Sequence, residues 1–152
     1  MSVFSKILVP VEYSDPCREA LELAGRLAEP ASASLVVLHA WEVPTYVTDH
    51  VTPGGHSLFD MVRERAEEEM KAFLSRAKLP SGVAVETRIE SGEPAHIVLK
   101  GIADTGSDLV VLSTHGRTGL SHMVLGSIAE RIVRLSPVPV LTVPSRGAHR
   151  AS

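Results

Sequence analysis

Cysteine is nearly absent from this sequence. Cys17 is the only cysteine in 152 residues, which excludes a disulfide within the chain and a metal cluster held by several thiolates. Cys17 lies near the N-terminus of a predicted helix, where a thiol is either a redox sensor or a small packing residue, and we favour packing. So little cysteine is typical of a reducing compartment, and we expect the cytoplasm.

The sequence also lacks long apolar runs and a strong charge of one sign. No stretch approaches the ~20 apolar residues that span a bilayer, and residues 1–6 lack the basic start and apolar run of a secretory signal. A net charge of -3 creates no field that attracts polyanions. We therefore expect neither a membrane nor a nucleic acid as a partner.

Apolar runs with β-branched residues alternate along the chain with segments of helical spacing. The runs at 6–11, 34–39, 83–89, 108–112 and 138–143 predict five strands, and the segments between them predict four helices. Strict alternation of this kind predicts an α/β fold, a doubly wound parallel sheet with helices on both faces. We predict the strand order 3-2-1-4-5, one domain over residues 1–144 and a disordered tail over 145–152.

The helical segments carry start signals and apolar faces. Asp15 is predicted to cap the first helix, with Pro16 at its first position. Several apolar residues at helical spacing are predicted to face the core, among them Leu27, Val62, Ile128 and Leu135.

A long polar segment, residues 42–57, separates the second strand from the second helix. Its length indicates a functional or mobile loop. Asp49, His50 and His56 lie in it and offer a possible metal clip, but without a third soft ligand nearby a surface loop is the better interpretation, and we predict no metal site.

Two common phosphate motifs are missing as well. No Gly-x-x-x-x-Gly-Lys-Ser/Thr run exists, and residues 10–14 lack the glycines of the Gly-x-Gly-x-x-Gly turn. In a doubly wound sheet ligands bind beyond the carboxyl ends of the strands, here between the first and the fourth. The loop after the fourth strand is therefore where we expect the chemistry.

That loop is rich in glycine and ends at a predicted helix. Gly116 and Gly126 are expected to bracket a phosphate, because glycine leaves backbone N–H groups accessible beside a helix N-terminus, and the Ser127 hydroxyl adds a hydrogen bond. The alternative is structural. Ser127 and Glu130 then form a capping box, and the loop residues His115, Arg117 and Gly119 belong to a solvated turn.

The loop and its flanks resemble the nucleotide motif of universal stress proteins: Gly, two residues, Gly, nine residues, then Gly followed by Ser or Thr. Gly116 and Gly126 keep the nine-residue gap, and Ser127 follows. The segments Ile7–Pro10 and Val37–His39 also resemble the family's first two strands. Two positions depart from its pattern: Ser113 replaces the first motif glycine, and Glu12 stands where nucleotide-binding members usually carry Asp.

The resemblance implies a Rossmann-like protein that binds ATP, or ADP or AMP, with Mg²⁺ entering on the phosphates. It places adenine and ribose against Pro10, Val11, Glu12 and Ala40. It places the phosphates near Ser113, His115, Gly116, Gly126, Ser127 and Ile128. Arg117 and Gly119, in the same loop, complete the predicted nucleotide site. The resemblance also implies a homodimer through the last strand, over Val138, Val140, Leu141, Thr142 and Val143.

By the same resemblance the protein is a nucleotide-dependent stress regulator with an unknown protein partner. No constellation of nucleophile, base and orienting acid is visible, so we predict no catalytic residues and at most slow ATP hydrolysis. Two alternatives remain, a nucleotide-free homodimeric interaction module and a weak ATPase or nucleotidyl- or phosphoryl-transfer enzyme.

Overall fold

The computed structural model describes residues 2–43, 53–114 and 125–145. Within these ranges strands and helices alternate as the sequence predicts. The strands are β1 (Lys6–Pro10), β2 (Ser34–Trp41), β3 (Val85–Ser91), β4 (Leu109–Ser113) and β5 (Val140–Val143). The helices are α1 (Asp15–Ala31), α2 (Leu58–Arg76), α3 (Pro94–Thr105) and α4 (Ser127–Leu135).

The strands form one parallel sheet in the order β3-β2-β1-β4-β5, which confirms the predicted order. Ile7 pairs with Leu35 on one side and with Leu109 on the other. The chain leaves β1 toward β2 on one side and later enters β4 on the other. The carboxyl ends of β1 and β4 therefore form the crevice in which doubly wound sheets bind ligands.

Helices cover both faces of the sheet and give the core two layers. Ile7 and Val9 of β1 pack on the side of α1 and the C-terminal half of α2. Leu8, between them in sequence, points to the opposite face and packs with α3 and α4. All three are fully buried, which explains why the strand is a continuous apolar run. No helix in the described ranges combines the length and apolar character needed to cross a bilayer.

The amino end of the sheet is fastened by Asp108. Its carboxylate accepts hydrogen bonds from the Ser5 N–H at 2.9 Å, the Ser5 hydroxyl at 2.9 Å and the Lys6 N–H at 3.0 Å. Burial opposes ionisation, but the donors on Lys6 and Ser5 outweigh it and hold the pKa of the Asp108 carboxyl below its ordinary value. This anchor lies at the end of the sheet opposite the crevice.

The predicted cap of α1 is wrong. Ser14, not Asp15, is the N-cap residue, and its hydroxyl accepts from the N–H of Cys17 at 3.4 Å. Asp15 is the first helical residue and Pro16 the second. Both serine and aspartate are good N-caps, so the sequence does not distinguish two adjacent candidates.

Four of the residues predicted to face the core are instead substantially exposed: Leu27 at 38%, Val62 at 40%, Ile128 at 44% and Leu135 at 51%. Leu27, Ile128 and Leu135 lie at the edges of the buried stripes of their helices. Val62 lies in the first half of α2, whose buried residues begin only at Ala66.

Candidate functional site

A cavity of about 390 Å³ opens at the carboxyl ends of β1 and β4. Its volume lies within the range of small-molecule sites. It is lined by Pro10, Val11, Glu12, Cys17, Leu38, Ala40, Pro94, Val98, Leu112, Ser113, Thr114, Gly126, Ser127, Ile128, Ala129 and Ile132. The lining is mainly aliphatic, with the hydroxyl groups of Ser113, Thr114 and Ser127 as most of its polar side chains.

The structure brings together most of the residues that the sequence singles out. Pro10, Val11, Glu12, Ala40, Ser113, Gly126, Ser127 and Ile128 all line this cavity. The remaining predicted site residues, His115, Gly116, Arg117 and Gly119, lie outside the described residues. Contact of any of these residues with a nucleotide stays a prediction.

The backbone of Val11 is held in place by β2. Its N–H donates to the carbonyl oxygen of Leu38 at 2.9 Å, and its own carbonyl oxygen lies 2.8 Å from Nδ1 of His39. Because a carbonyl oxygen only accepts hydrogen bonds, Nδ1 of His39 carries a proton here. His39 is thus a structural histidine, and it fixes the wall of the cavity that precedes Glu12.

Gly126 brings the start of α4 to the end of β4. It is the N-cap residue of α4, and its N–H donates to the carbonyl oxygen of Thr114 at 3.2 Å. A Cβ at Gly126 would sit 3.4 Å from that oxygen, an ordinary van der Waals distance, and the φ of -57° at Gly126 is open to any residue. Glycine has no side-chain acceptor, so the first-turn N–H groups of α4 receive no side-chain cap from their N-cap residue. The first-turn residues Ser127, Ile128 and Ala129 line the cavity.

The capping-box interpretation of Ser127 is wrong. Ser127 is the first helical residue of α4 and not its N-cap. Glu130, the expected second member of the box, pairs with Arg134 one turn later, at 3.3 Å. The Ser127 side chain lines the cavity instead.

Ser113, which replaces a motif glycine, contacts α1. Its hydroxyl oxygen lies 3.5 Å from Sγ of Cys17, and Cys17 is 4% exposed. The packing interpretation of Cys17 therefore agrees with its position. The Ser113 side chain therefore lies between the end of β4 and the start of α1.

The helix α3 contributes Pro94 and Val98 to the cavity lining and is joined to α4 by an ion pair. Glu93, the N-cap of α3, accepts from the N–H groups of Ala95 at 3.0 Å and His96 at 2.9 Å and pairs with Arg131 of α4 at 2.8 Å. Burial opposes ionisation of Glu93, but these donors and the Arg131 charge outweigh it and lower the pKa of its carboxyl. The pair joins the start of α3, next to Pro94, to the middle of α4.

Sequence reasoning missed several lining residues. Cys17, Leu38, Pro94, Val98, Leu112, Thr114, Ala129 and Ile132 line the cavity without having been predicted as site residues. A signal existed for Pro94 and Val98: they lie about one turn apart at the start of α3, and the start of a crossover helix lies at the carboxyl end of the sheet.

Glu12 is the one charged side chain among the described lining residues. The described part of the chain also contains no group of three or more histidine, cysteine or acidic side chains that could hold a metal ion. An anion in the described part of the cavity would therefore interact with backbone N–H groups and hydroxyls.

The comparisons with known proteins agree on one family. The sequence model of the universal stress protein family matches residues 4–144. Universal stress protein YxiE of Bacillus subtilis is 33% identical over 147 residues, covering 93% of this chain and 99% of that protein.

Solved structures show the same fold. A universal stress family protein from Burkholderia pseudomallei is 29% identical with a TM-score of 0.65, covering 95% of this chain and 99% of its own. A universal stress protein crystallised in complex with cAMP is 24% identical with a TM-score of 0.59, covering 93% of this chain and 98% of its own. At that identity the second likeness concerns the fold alone.

Proposed function

Because the chain belongs to the universal stress protein family, we propose that it binds an adenine nucleotide and acts as a nucleotide-dependent regulator in the stress response. The ligand is ATP or one of the related nucleotides ADP, AMP and cAMP. The observation that carries this proposal is Gly126, which opens the first-turn amides of α4 on a cavity of about 390 Å³. The cAMP complex of a protein with this fold fits the proposal.

The apolar and polar parts of the lining suit the base and the phosphates of a nucleotide, respectively. The aliphatic side chains of Val11, Leu38 and Ala40 offer a surface for the base. The amides at Gly126 and the Ser127 hydroxyl offer donors for phosphate oxygens, with the dipole of α4 adding attraction. Mg²⁺ would enter with the phosphates.

The proposed output is conformational. A ligand that bridges the β1 end, the β4 end and α4 favours the conformation in which these elements lie close together, and a partner protein that distinguishes this conformation responds to the nucleotide. The proposal places the protein in the cytoplasm, with which the free thiol of Cys17 is compatible.

The first binding test requires no assumption about which nucleotide is bound. Purified protein is heat-denatured, and the supernatant is analysed for released adenine nucleotide. Isothermal titration calorimetry with ATP, ADP, AMP and cAMP, with and without Mg²⁺, then ranks the ligands. Saturable binding of at least one of them supports the proposal, and no binding of any at millimolar concentration contradicts it.

A second candidate role, a homodimeric interaction module, is favoured by the contrast between the two sheet edges. β5 presents Leu141, 38% exposed, at one edge. The other edge, β3, carries Arg88 flanked by Glu86 at 4.0 Å and Glu90 at 3.4 Å. Charges on an edge strand discourage pairing with another chain, whereas an apolar edge permits it. We propose that β5 pairs with its own copy about a twofold axis, with or without nucleotide.

A further inference from the structure

The connection from β1 to α1 passes through a residue in an unfavourable backbone conformation. Tyr13 has a φ of +68°, the left-handed region that a residue with a Cβ seldom adopts. It directly follows Val11 and Glu12, which line the cavity. Such a conformation persists only where the surrounding structure holds it.

The side chain of Tyr13 contacts both β2 and α2. Its ring stacks on His39, with centroids 4.3 Å apart and planes at 30°. It also meets Phe73 of α2, with centroids 5.7 Å apart. Its hydroxyl donates to the carbonyl oxygen of Ala66, also in α2, at 3.0 Å. These contacts offset the cost of the left-handed conformation.

The same histidine holds the cavity wall. Nδ1 of His39 donates to the carbonyl oxygen of Val11, and the N–H of Val11 donates to Leu38. Tyr13 and Val11, which are two residues apart in the chain, thus both contact the His39 ring. Because the residues on both sides of Glu12 contact His39, the backbone of Glu12 is held in the position in which Glu12 lines the cavity.

We propose that Tyr13 is a positioning residue for the nucleotide site: its side chain holds the left-handed backbone that presents Val11 and Glu12 to the ligand. The proposal rests on the proposed function. Tyr13 itself is not among the residues that line the cavity, so it acts through its two neighbours in the chain.

A pair of substitutions separates the backbone conformation from the loss of side-chain contacts. Tyr13→Gly and Tyr13→Ala both remove the ring and the hydroxyl, but only glycine adopts a φ of +68° without strain. We expect the alanine variant to bind the best nucleotide about tenfold more weakly than the glycine variant, because the left-handed conformation disfavours a Cβ by a factor of about 5–30. A purely structural role of the ring would weaken both variants equally.

Ser32 provides the matched control. It also has a positive φ, +53°, but it caps the C-terminus of α1, away from the cavity. Ser32→Ala should be less stable than Ser32→Gly, just as Tyr13→Ala should be less stable than Tyr13→Gly. The two Ser32 variants should, however, bind nucleotide with equal affinity. If Tyr13→Ala does not fold, Tyr13→Asn against Tyr13→Gln repeats the comparison, since Asn enters the left-handed region more readily than Gln.

A second readout needs no ligand. The Val11 amide is hydrogen-bonded to Leu38, so its hydrogen exchange reports directly on the geometry of this wall. We expect faster exchange at Val11 in Tyr13→Ala than in Tyr13→Gly, and no such difference between the Ser32 variants. Equal Val11 exchange in the two Tyr13 variants, or equal nucleotide affinity, would overturn the proposal. If wild-type protein binds no nucleotide, the proposed function fails, and the exchange of Val11 still decides whether Tyr13 positions the wall.

Discussion

The N–H of Gly126 donates to the carbonyl oxygen of Thr114 at 3.2 Å. This bond joins the end of β4 to the start of α4, although 11 residues separate the two partners in the sequence. The first turn of α4 and the residues at the carboxyl end of β1 both line the cavity. A side chain larger than a methyl group at Gly126 would occupy space beside the lining residues Thr114 and Ser127, where we propose that the phosphate groups bind.

Gly126→Val should reduce nucleotide affinity more than it reduces stability. We expect at least about tenfold weaker binding, because overpacking of about 1–3 kcal/mol falls on the ligand site. The free energy of unfolding should fall by only about 1 kcal/mol, since the φ of Gly126 suits any residue. Calorimetric titration and urea unfolding measure the two quantities.

The control for this variant is Gly82→Val. A Cβ at Gly82 meets no atom within 4 Å, and Gly82 lies outside the lining of the cavity. Its affinity should equal that of the wild type. Equal affinities for Gly126→Val and Gly82→Val would contradict the assignment of the α4 N-terminus as the phosphate site.

Ser113→Gly restores the residue that the family motif carries at this position. Because the Ser113 hydroxyl lies against Cys17, we expect nucleotide affinity to remain unchanged and stability to fall by about 0.5–1 kcal/mol, the cost of glycine in a strand. The same titration and unfolding experiments apply. A tenfold gain in affinity would show that the Ser113 side chain crowds the ligand instead.

Asp108→Asn should make stability less dependent on pH in the acid range. The pKa of the Asp108 carboxyl is lower in the folded protein than its ordinary value of 3.8. Its contribution is therefore complete above the unfolded-state pKa and is lost as pH falls through the folded-state pKa. We expect Asn to cost about 1–2 kcal/mol at pH 7, with the difference from wild type shrinking below about pH 4.

Urea unfolding over a pH series measures this difference, and Asp104→Asn is its control. The pKa of the Asp104 carboxyl is also lowered, chiefly by its hydrogen bond with Lys100, but this pair lies at the surface. Asp104→Asn should change stability less. A pH-independent difference between Asp108→Asn and wild type would show that the carboxylate charge contributes nothing.

Leu141→Lys should convert the proposed dimer into a monomer. The substitution places a charge on the apolar edge strand β5, where edge-to-edge pairing would bury it. Val85→Lys is the matched control, because Val85 is also 38% exposed but lies in β3, at the opposite edge. Sedimentation velocity at micromolar concentration should show a dimer for the wild type and Val85→Lys, and a monomer for Leu141→Lys. A wild-type monomer would end the dimer proposal.

Long-range order was predictable from the sequence, and local detail was not. The strand order and the crevice follow from alternation and right-handed crossovers, which depend on no single residue. Whether α1 begins after Ser14 or after Asp15 is a difference of one residue. Because serine and aspartate are equally good N-caps, the sequence does not decide between them. Whether Ile128 faces the core depends on how α4 is rotated over the sheet, and periodicity leaves residues at the edge of a stripe undecided.

The lining of the cavity was predictable in part for a similar reason. Residues at strand ends, such as Pro10 and Ser113, and residues in the glycine motif, such as Gly126, carry a signal in the sequence. Pro94 and Val98 line the cavity because α3 begins at the carboxyl end of the sheet; their signal lies in the topology and not in a motif. The left-handed conformation of Tyr13 was not predictable from the sequence, since tyrosine is not a residue typical of turns.

The most direct test follows backbone amide resonances while an adenine nucleotide is titrated with Mg²⁺ into the isotopically labelled protein. We predict that, among the described residues, the largest shifts fall on the first turn of α4, at Ser127, Ile128 and Ala129, and on Val11 and Glu12 after β1. Unchanged α4 amides at saturating nucleotide, or shifts confined to the opposite end of the sheet around Gly82, would contradict the account.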